Sequence, residues 1–346
     1  MRTVLRTASG MRVGCRKGVT LALLFLLILA APLAAEPAQP TQVDPNAAAV
    51  SEQQLLQHRN QVQGQISIPD KRENMLIHPA GRDWRAFHEV TLPWIGGIVI
   101  LGMLLLLVAF YLWRGTVRLE RGRSGRKLVR FMALERLVHW ITAISFIVLA
   151  LTGLNVTFGK RLLLPLMDPQ AFSVWSQWAK YIHNFASFPF MIGVVLIFFM
   201  WVAGNLPNRV DVEWLKRGGG IAGRDHPPAY RFNAGQKAIF WFVTVAGVAI
   251  AASGLLLMFP FYGTNINTMQ DAQIAHGVIA MLFVAVILAH IYIGTIGMEG
   301  AFEAMGEGTV DVNWAREHHE LWLTEEHAAT GPAERHPQPS SAVAAE

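Results

Sequence analysis

The sequence predicts an all-α membrane protein: a four-helix transmembrane bundle preceded by one additional N-terminal transmembrane helix and a cleavable signal peptide. Three observations carry that prediction. Of 346 residues, 53% are hydrophobic and only 15% charged, with mean hydropathy +0.34, which is too apolar for an ordinary soluble domain. Beyond the signal, five apolar segments are long enough for a bilayer that needs about 20 residues. Basic residues gather in alternate connections, as the positive-inside rule requires. The net charge of +5 is explained by those connections, so no nucleic-acid partner is expected and the lipid bilayer is the main environment.

Residues 1–35 read as the signal peptide. Arg2, Arg6, Arg12, Arg16 and Lys17 precede the apolar run Val19–Leu33, and Ala34-Ala35 offers small residues for cleavage before Glu36. The run is at the long end for such a segment, so an uncleaved anchor is the alternative. Both readings export residues 36–90, a stretch rich in Gln, Pro, Asn and Ala with little apolar periodicity, expected to be mostly irregular and periplasmic. The one cysteine, Cys15, would leave with a cleaved signal. The mature chain would then carry no structural disulfide, no C-x-x-C-H haem attachment and no cysteine-ligated iron–sulfur cluster. Electrons, if it moves them, must come from a separate subunit.

Leu92–Trp113 is uncharged and forms the additional span, within residues 91–114. The linker 115–130 follows, and Arg114, Arg118, Arg121, Arg123, Arg126, Lys127 and Arg130 place it on the cytoplasmic side. The bundle, residues 131–300, contains spans at about Leu137–Phe158, Tyr181–Gly204, Ala238–Pro260 and Ala272–Gly297. The connection Asn205–Lys237 carries Arg209, Lys216, Arg217, Arg224, Arg231 and Lys237, whereas Phe261–Asp271 has no Lys or Arg. The former is expected in the cytoplasm and the latter in the periplasm of a bacterial inner (cytoplasmic) membrane. Residues 301–346 form a cytoplasmic tail, with an amphipathic pattern over Ala301–Glu325 before a Pro, Ala and Ser end.

Four histidines lie inside or at the edge of the apolar spans: His139, His183, His276 and His290. An ionisable side chain at membrane depth is costly and calls for a partner. His276 and His290 stand 14 residues apart, close to four turns at about 3.6 residues per turn, so both imidazoles face one way about 21 Å apart. Depth pairs His139 with His290 toward the cytoplasm and His183 with His276 toward the periplasm. Each pair can supply two neutral imidazoles as axial ligands to the iron of one b-type haem, and two haems at different depths make an electron path across the bilayer. A proton relay would recruit Asp or Glu, and the four core spans contain none. A zinc or di-iron site is disfavoured because the pairs are too far apart to share a metal and no carboxylate accompanies them.

The segment Arg136-Leu137-Val138-His139-Trp140, the run Phe232-Asn233-Ala234-Gly235-Gln236-Lys237 before Phe240-Trp241, the His276 and His290 spacing, and Trp314-Ala315-Arg316 with His318-His319 and Trp322 resemble the gamma subunit of respiratory formate dehydrogenase, a di-haem cytochrome b. The likeness covers about Leu128–Leu323. It implies that a molybdenum or tungsten alpha subunit oxidises formate in the periplasm and passes electrons to an iron–sulfur beta subunit. From there they would enter the haem of His183 and His276 and reach that of His139 and His290. There they reduce a quinone, menaquinone or ubiquinone, near the cytoplasmic face. The resemblance also implies a quinone site using His290 and Asn233.

Read from the residues alone, Asn233 can donate and accept hydrogen bonds, and Gly235 would let backbone approach a flat ring. Equally, Asn233 and Gln236 can cap the following helix. Arg136 and Lys237 can pair with haem propionates or serve as positive-inside anchors. The exported segment Glu36–Val90 and the extra helix Leu92–Trp113 have no counterpart in the basic four-helix form, and the Trp84 and Trp94 cluster points to partner docking for that extension. Two further readings stay open: the cytochrome b anchor of a nickel-iron hydrogenase or thiosulfate-type reductase, and a haem-free transporter or structural anchor.

Overall fold

The computed structural model describes residues 63–65, 75–77, 81–220, 226–260 and 262–330. The expected signal peptide, Cys15, most of the 36–90 segment and the tail after Thr330 lie outside the described residues. Two three-residue strands, β1 (Gln63–Gln65) and β2 (Met75–Ile77), pair antiparallel.

Among the described residues, five helices are long and apolar enough to cross a membrane, so the chain is a multi-pass membrane protein. They contain α1 (Leu92–Arg114), α2 (Ala133–Leu162), α3 (Pro169–Trp201), α5 (Ala234–Met258) and α6 (Ile266–Tyr292); a short amphipathic helix, α4 (Arg209–Lys216), lies between α3 and α5. A further helical turn, Gly81–Ala86, and a π-helical stretch, Phe87–Thr91, lead into α1.

The helices run past the apolar segments because caps, not hydropathy, end a helix. The α3 helix begins at Pro169, twelve residues before the expected Tyr181, since Asp168 accepts from Gln170 N at 3.0 Å and Ala171 N at 2.9 Å while proline holds the first position. Asn265 caps α6 in the same way, accepting from Thr268 N at 2.9 Å, seven residues before the apolar run that starts at Ala272. At 33 residues α3 is about 50 Å long, so it projects beyond a hydrocarbon layer of about 30 Å.

In the bundle α2 lies along α3, α5 along α6, and α3 against α5. The extra helix α1 packs on α6. Leu92, 3% exposed, seats on Gly277, and Gly96 faces Met281 and Phe158; a Cβ at either glycine would collide with those side chains.

The basic linker does not lie bare at the membrane surface. Its strand β3 (Lys127–Val129) pairs antiparallel with β4 (Thr309–Asp311), which is flanked by α7 (Ala301–Gly306), α8 (Val312–His318) and α9 (Glu320–Thr330). Linker amides donate into buried carboxylates: Ser124 N and Gly125 N to Asp311 at 3.1 and 3.0 Å, Glu120 N and Arg121 N to Glu317 at 3.1 and 3.0 Å. Arg123 and Lys127 pair with Glu303 and Glu307 at 2.6 and 2.5 Å, exposed contacts of small energetic weight. Arg130, 3% exposed, lies with its guanidinium 5.0 Å from the Trp314 ring and 4.9 Å from that of Trp322, so aromatic faces stand in for a carboxylate. The amphipathic pattern after Ala301 is thus a folded cap over the charge-rich end of the bundle.

Candidate functional site

The four membrane histidines meet as the two expected couples. His139 on α2 faces His290 on α6 with ring centres 6.3 Å apart and planes at 61°. His183 on α3 faces His276 on α6 at 6.2 Å and 66°. A metal–imidazole bond is about 2.0 Å, and the nitrogen sits roughly 1.1 Å from its ring centre, so two imidazoles on opposite sides of one metal ion place their centres about 6.2 Å apart. Among the described residues no group of three or more His, Cys, Asp or Glu can hold a metal ion. Two imidazoles alone do not complete a protein zinc site, whereas iron already held in a macrocycle needs only two axial donors.

One couple is oriented by hydroxyls. Thr152 Oγ1 on α2 lies 2.9 Å from His183 Nδ1 while donating to Val148 O at 2.7 Å. Ser253 Oγ on α5 lies 3.0 Å from His276 Nδ1 and donates to Ala249 O at 3.0 Å. A hydroxyl has one hydrogen, and with that hydrogen on the backbone carbonyl each oxygen is free to accept from an Nδ1–H. In that tautomer each Nε2 lone pair is left for a metal. The next residue in each helix is glycine: a Cβ at Gly153 would come within 3.3 Å of His183 Cε1, and one at Gly254 within 3.2 Å of His276 Cε1.

These four residues were not singled out by the sequence reasoning. The signal is a repeated triplet, Thr152-Gly153-Leu154 and Ser253-Gly254-Leu255. The other couple is different: His139 Nδ1 is buried without a partner, and among the described residues no hydrogen bond is made by the His290 ring. Trp140, beside His139, is pinned by its Nε1 donating to Met305 O at 3.0 Å.

An aromatic layer separates the couples. Phe146, Phe190 and Phe283 each follow a histidine, His139, His183 and His276, by seven residues, or two turns, and Phe283 also precedes His290 by seven. Phe283 is 1% exposed, with ring centres 5.1 Å from Phe146, 5.2 Å from Phe242 and 6.0 Å from Phe190.

The Asn233–Lys237 run does several structural things at once. Asn233 Oδ1 accepts from Gln236 N at 2.9 Å and Gln236 Oε1 accepts from Asn233 N at 3.1 Å, the reciprocal cap of α5. Gly235 does admit a flat ring, and it is the Trp214 indole of α4: a Cβ there would meet that ring at 3.2 Å. Lys237, 4% exposed, donates to Asp211 at 2.9 Å and Leu206 O at 3.1 Å. Arg136 donates to the carbonyls of Met305, Gly306 and Glu307 at 3.3, 2.7 and 2.9 Å, capping α7. Carbonyls and a carboxylate on neighbouring segments thus hold both cations, which the sequence offered either to haem propionates or as positive-inside anchors.

The profile of a family described as prokaryotic cytochrome b561 matches residues 130–308, the span that holds all four histidines. The chain belongs to the prokaryotic cytochrome b561 family. It is similar to the formate dehydrogenase cytochrome b556(fdo) subunit of Escherichia coli K12, 32% identical over 202 residues that cover 57% of this chain and 92% of that protein. It is also similar to the nitrate-inducible formate dehydrogenase cytochrome b556(Fdn) subunit of the same strain, at 25% over 207 residues covering 58% and 93%. A formate dehydrogenase cytochrome b556 subunit of Haemophilus influenzae is 27% identical over 213 residues, covering 59% and 85%. Membership of this cytochrome b561 family implies haem b, and the paired imidazoles fit it in number, facing and spacing.

Proposed function

We propose that this chain is the membrane-anchoring cytochrome b subunit of a formate dehydrogenase, carrying electrons from an iron–sulfur partner to quinone across two haem b sites. His183 and His276 would hold the outer haem, and His139 and His290 the inner one. The observation that carries the reading is the ring-centre spacing of 6.2 and 6.3 Å, which suits one six-coordinate iron in each couple. Bound haem b supplies reversible one-electron transfer. The rest is the work of this chain's residues: imidazoles that face each other, hydroxyls and glycines placed against two of them, and an aromatic layer packed between the couples.

In this reading the charge-rich cap faces the cytoplasm of a bacterial inner membrane and the His183–His276 end faces the periplasm, which the basic linker supports. Quinone reduction takes two electrons and two protons per quinol, and the inner couple beside the protonating side is where it would occur. His290 and Asn233 are the proposed contacts: the Asn233 oxygen belongs to the helix cap, leaving its amide N–H groups for a quinone carbonyl. An iron–sulfur beta subunit and a molybdenum or tungsten alpha subunit are the proposed partners, supported by the names of the relatives.

A pyridine haemochrome assay of the purified chain tests this directly. Two haem b per chain are expected, falling to one in His276→Ala and one in His290→Ala. A colourless protein expressed with ample haem, or an unchanged haem content in the His290 variant, would overturn the assignment. Nickel in the native complex, in place of molybdenum or tungsten, would reassign the anchor to a hydrogenase.

A further inference from the structure

The two histidine couples have unequal surroundings, and the inequality has a direction. At the His183–His276 couple each Nδ1 lies at hydrogen-bond distance from a hydroxyl placed to accept from it, Thr152 at 2.9 Å and Ser253 at 3.0 Å. Each hydroxyl is itself fixed by donating to a carbonyl one turn earlier, Val148 O and Ala249 O, so neither can rotate away without losing that bond. At the other couple His139 Nδ1 is buried with no acceptor, and no hydrogen bond reaches the His290 ring among the described residues. A hydrogen bond donated from Nδ1 makes the imidazole more basic at Nε2, because the shared proton leaves more electron density in the ring. A more basic axial ligand favours ferric over ferrous iron. A ligand without that bond favours it less.

We propose that Thr152 and Ser253 are positioning residues that make the His183–His276 haem the harder of the two to reduce, so that electron transfer runs downhill to the His139–His290 haem. This rests on the two-haem reading above. The chain thereby encodes a direction in two hydroxyl side chains. Gly153 and Gly254 belong to the same device, since a Cβ at either would press on the imidazole Cε1 and disturb the hydrogen bond beside it.

The test is optical redox potentiometry of the purified, haem-loaded chain and of Thr152→Val, Ser253→Ala and the double variant, with His276→Ala marking which signal belongs to the outer haem. The double variant should keep two haems while the outer midpoint rises relative to the inner one. The expected size is about a tenfold fall in the equilibrium constant for outer-to-inner transfer, or 59 mV for a one-electron couple. Thr152→Ser and Ser253→Thr retain the hydroxyl and should retain both midpoints, which a loss of packing alone would not achieve. An unmoved outer midpoint in the double variant, or equal movement of both, overturns the proposal. Should the double variant lose its outer haem, the single variants decide: about a threefold shift in each supports it, and no shift overturns it. A wild-type chain without two haems would instead defeat the two-haem reading.

Discussion

Lowering the pH from 7 to 5 should loosen the folded cap over the charge-rich end while leaving the transmembrane helices in place. His318, partly buried in that cap, lies 5.3 Å from the Trp314 ring and 6.2 Å from that of His226. Burial above all, with His226 and Arg130 nearby, pushes it down to about 4 from the usual 6.5. His319, 1% exposed, is held well below 6.5 by burial and then by Arg130, whose Nη2 lies 3.0 Å from its Nε2; its Nδ1 lies 2.6 Å from Tyr230 O. The unfolded cap takes up protons near 6.5 and the folded cap only near 4. Stability is therefore full above pH 6.5, falls as the pH drops through 6.5, and stops falling through His318 below about 4. That difference corresponds to about 3 kcal/mol in all, of which about 2 kcal/mol is lost between pH 7 and 5, a rise in cap opening of more than about tenfold from His318 alone. Amide hydrogen exchange over residues 309–323, corrected for the intrinsic pH dependence, reads this opening directly. A His318→Gln variant should show a flatter profile. Equal protection of the wild-type cap at both pH values would refute the reasoning.

Phe283→Ala should lower the thermal stability of the purified chain by about 2–4 kcal/mol, since it removes three ring contacts worth about 0.5–1.5 kcal/mol each and lipid supplies no compensating burial. Phe283→Leu should lose less, with haem absorbance followed through the melt. Gly254→Ala places a methyl group against His276 and should weaken retention and alter the optical spectrum of the outer haem alone, whereas Gly102→Ala, with open space around its Cβ position, should change neither. Asp211→Asn leaves the buried Lys237 ammonium without its carboxylate and should detach α4 at a cost of about 3–5 kcal/mol, visible as faster proteolysis over 205–217. Adding Lys237→Met to Asp211→Asn should restore most of that protection.

What the sequence made legible was set by penalties that a membrane imposes on every chain. Uncharged runs long enough to span, cations at alternate connections and histidines at membrane depth are all expensive to place by accident, so the five spans and the two couples followed from them. Helix ends were less legible, because hydropathy marks where lipid stops and not where hydrogen bonding stops. Asp168-Pro169 and Asn265 carry the missing information as cap signals, and reading them would have recovered both α3 and α6. The Asn233–Gln236 run shows a different limit. Its cap and its ring-admitting glycine were both visible, but only tertiary packing reveals that the ring is Trp214, 21 residues before Gly235 in the chain.

The surroundings of the histidines were written in the sequence at two periods. Thr152-Gly153-Leu154 and Ser253-Gly254-Leu255 sit on helices that contribute no histidine to the couple they serve, α2 and α5, so no spacing from His183 or His276 along the chain points to them. Phenylalanines seven residues from each of three of these histidines are the opposite case, a local rule repeated on α2, α3 and α6. Seven residues is two turns, so each ring lies on the same face as its histidine and about 10 Å along the helix. Three helices obeying that rule must bring their rings together at one level if their histidines meet at the two ends. The measured contacts of 5.1, 6.0 and 6.1 Å among Phe146, Phe190 and Phe283 are that convergence. The distance between the couples is thus set twice, by the 14 residues of α6 and by an incompressible aromatic layer, and a change in either would have to be matched by the other.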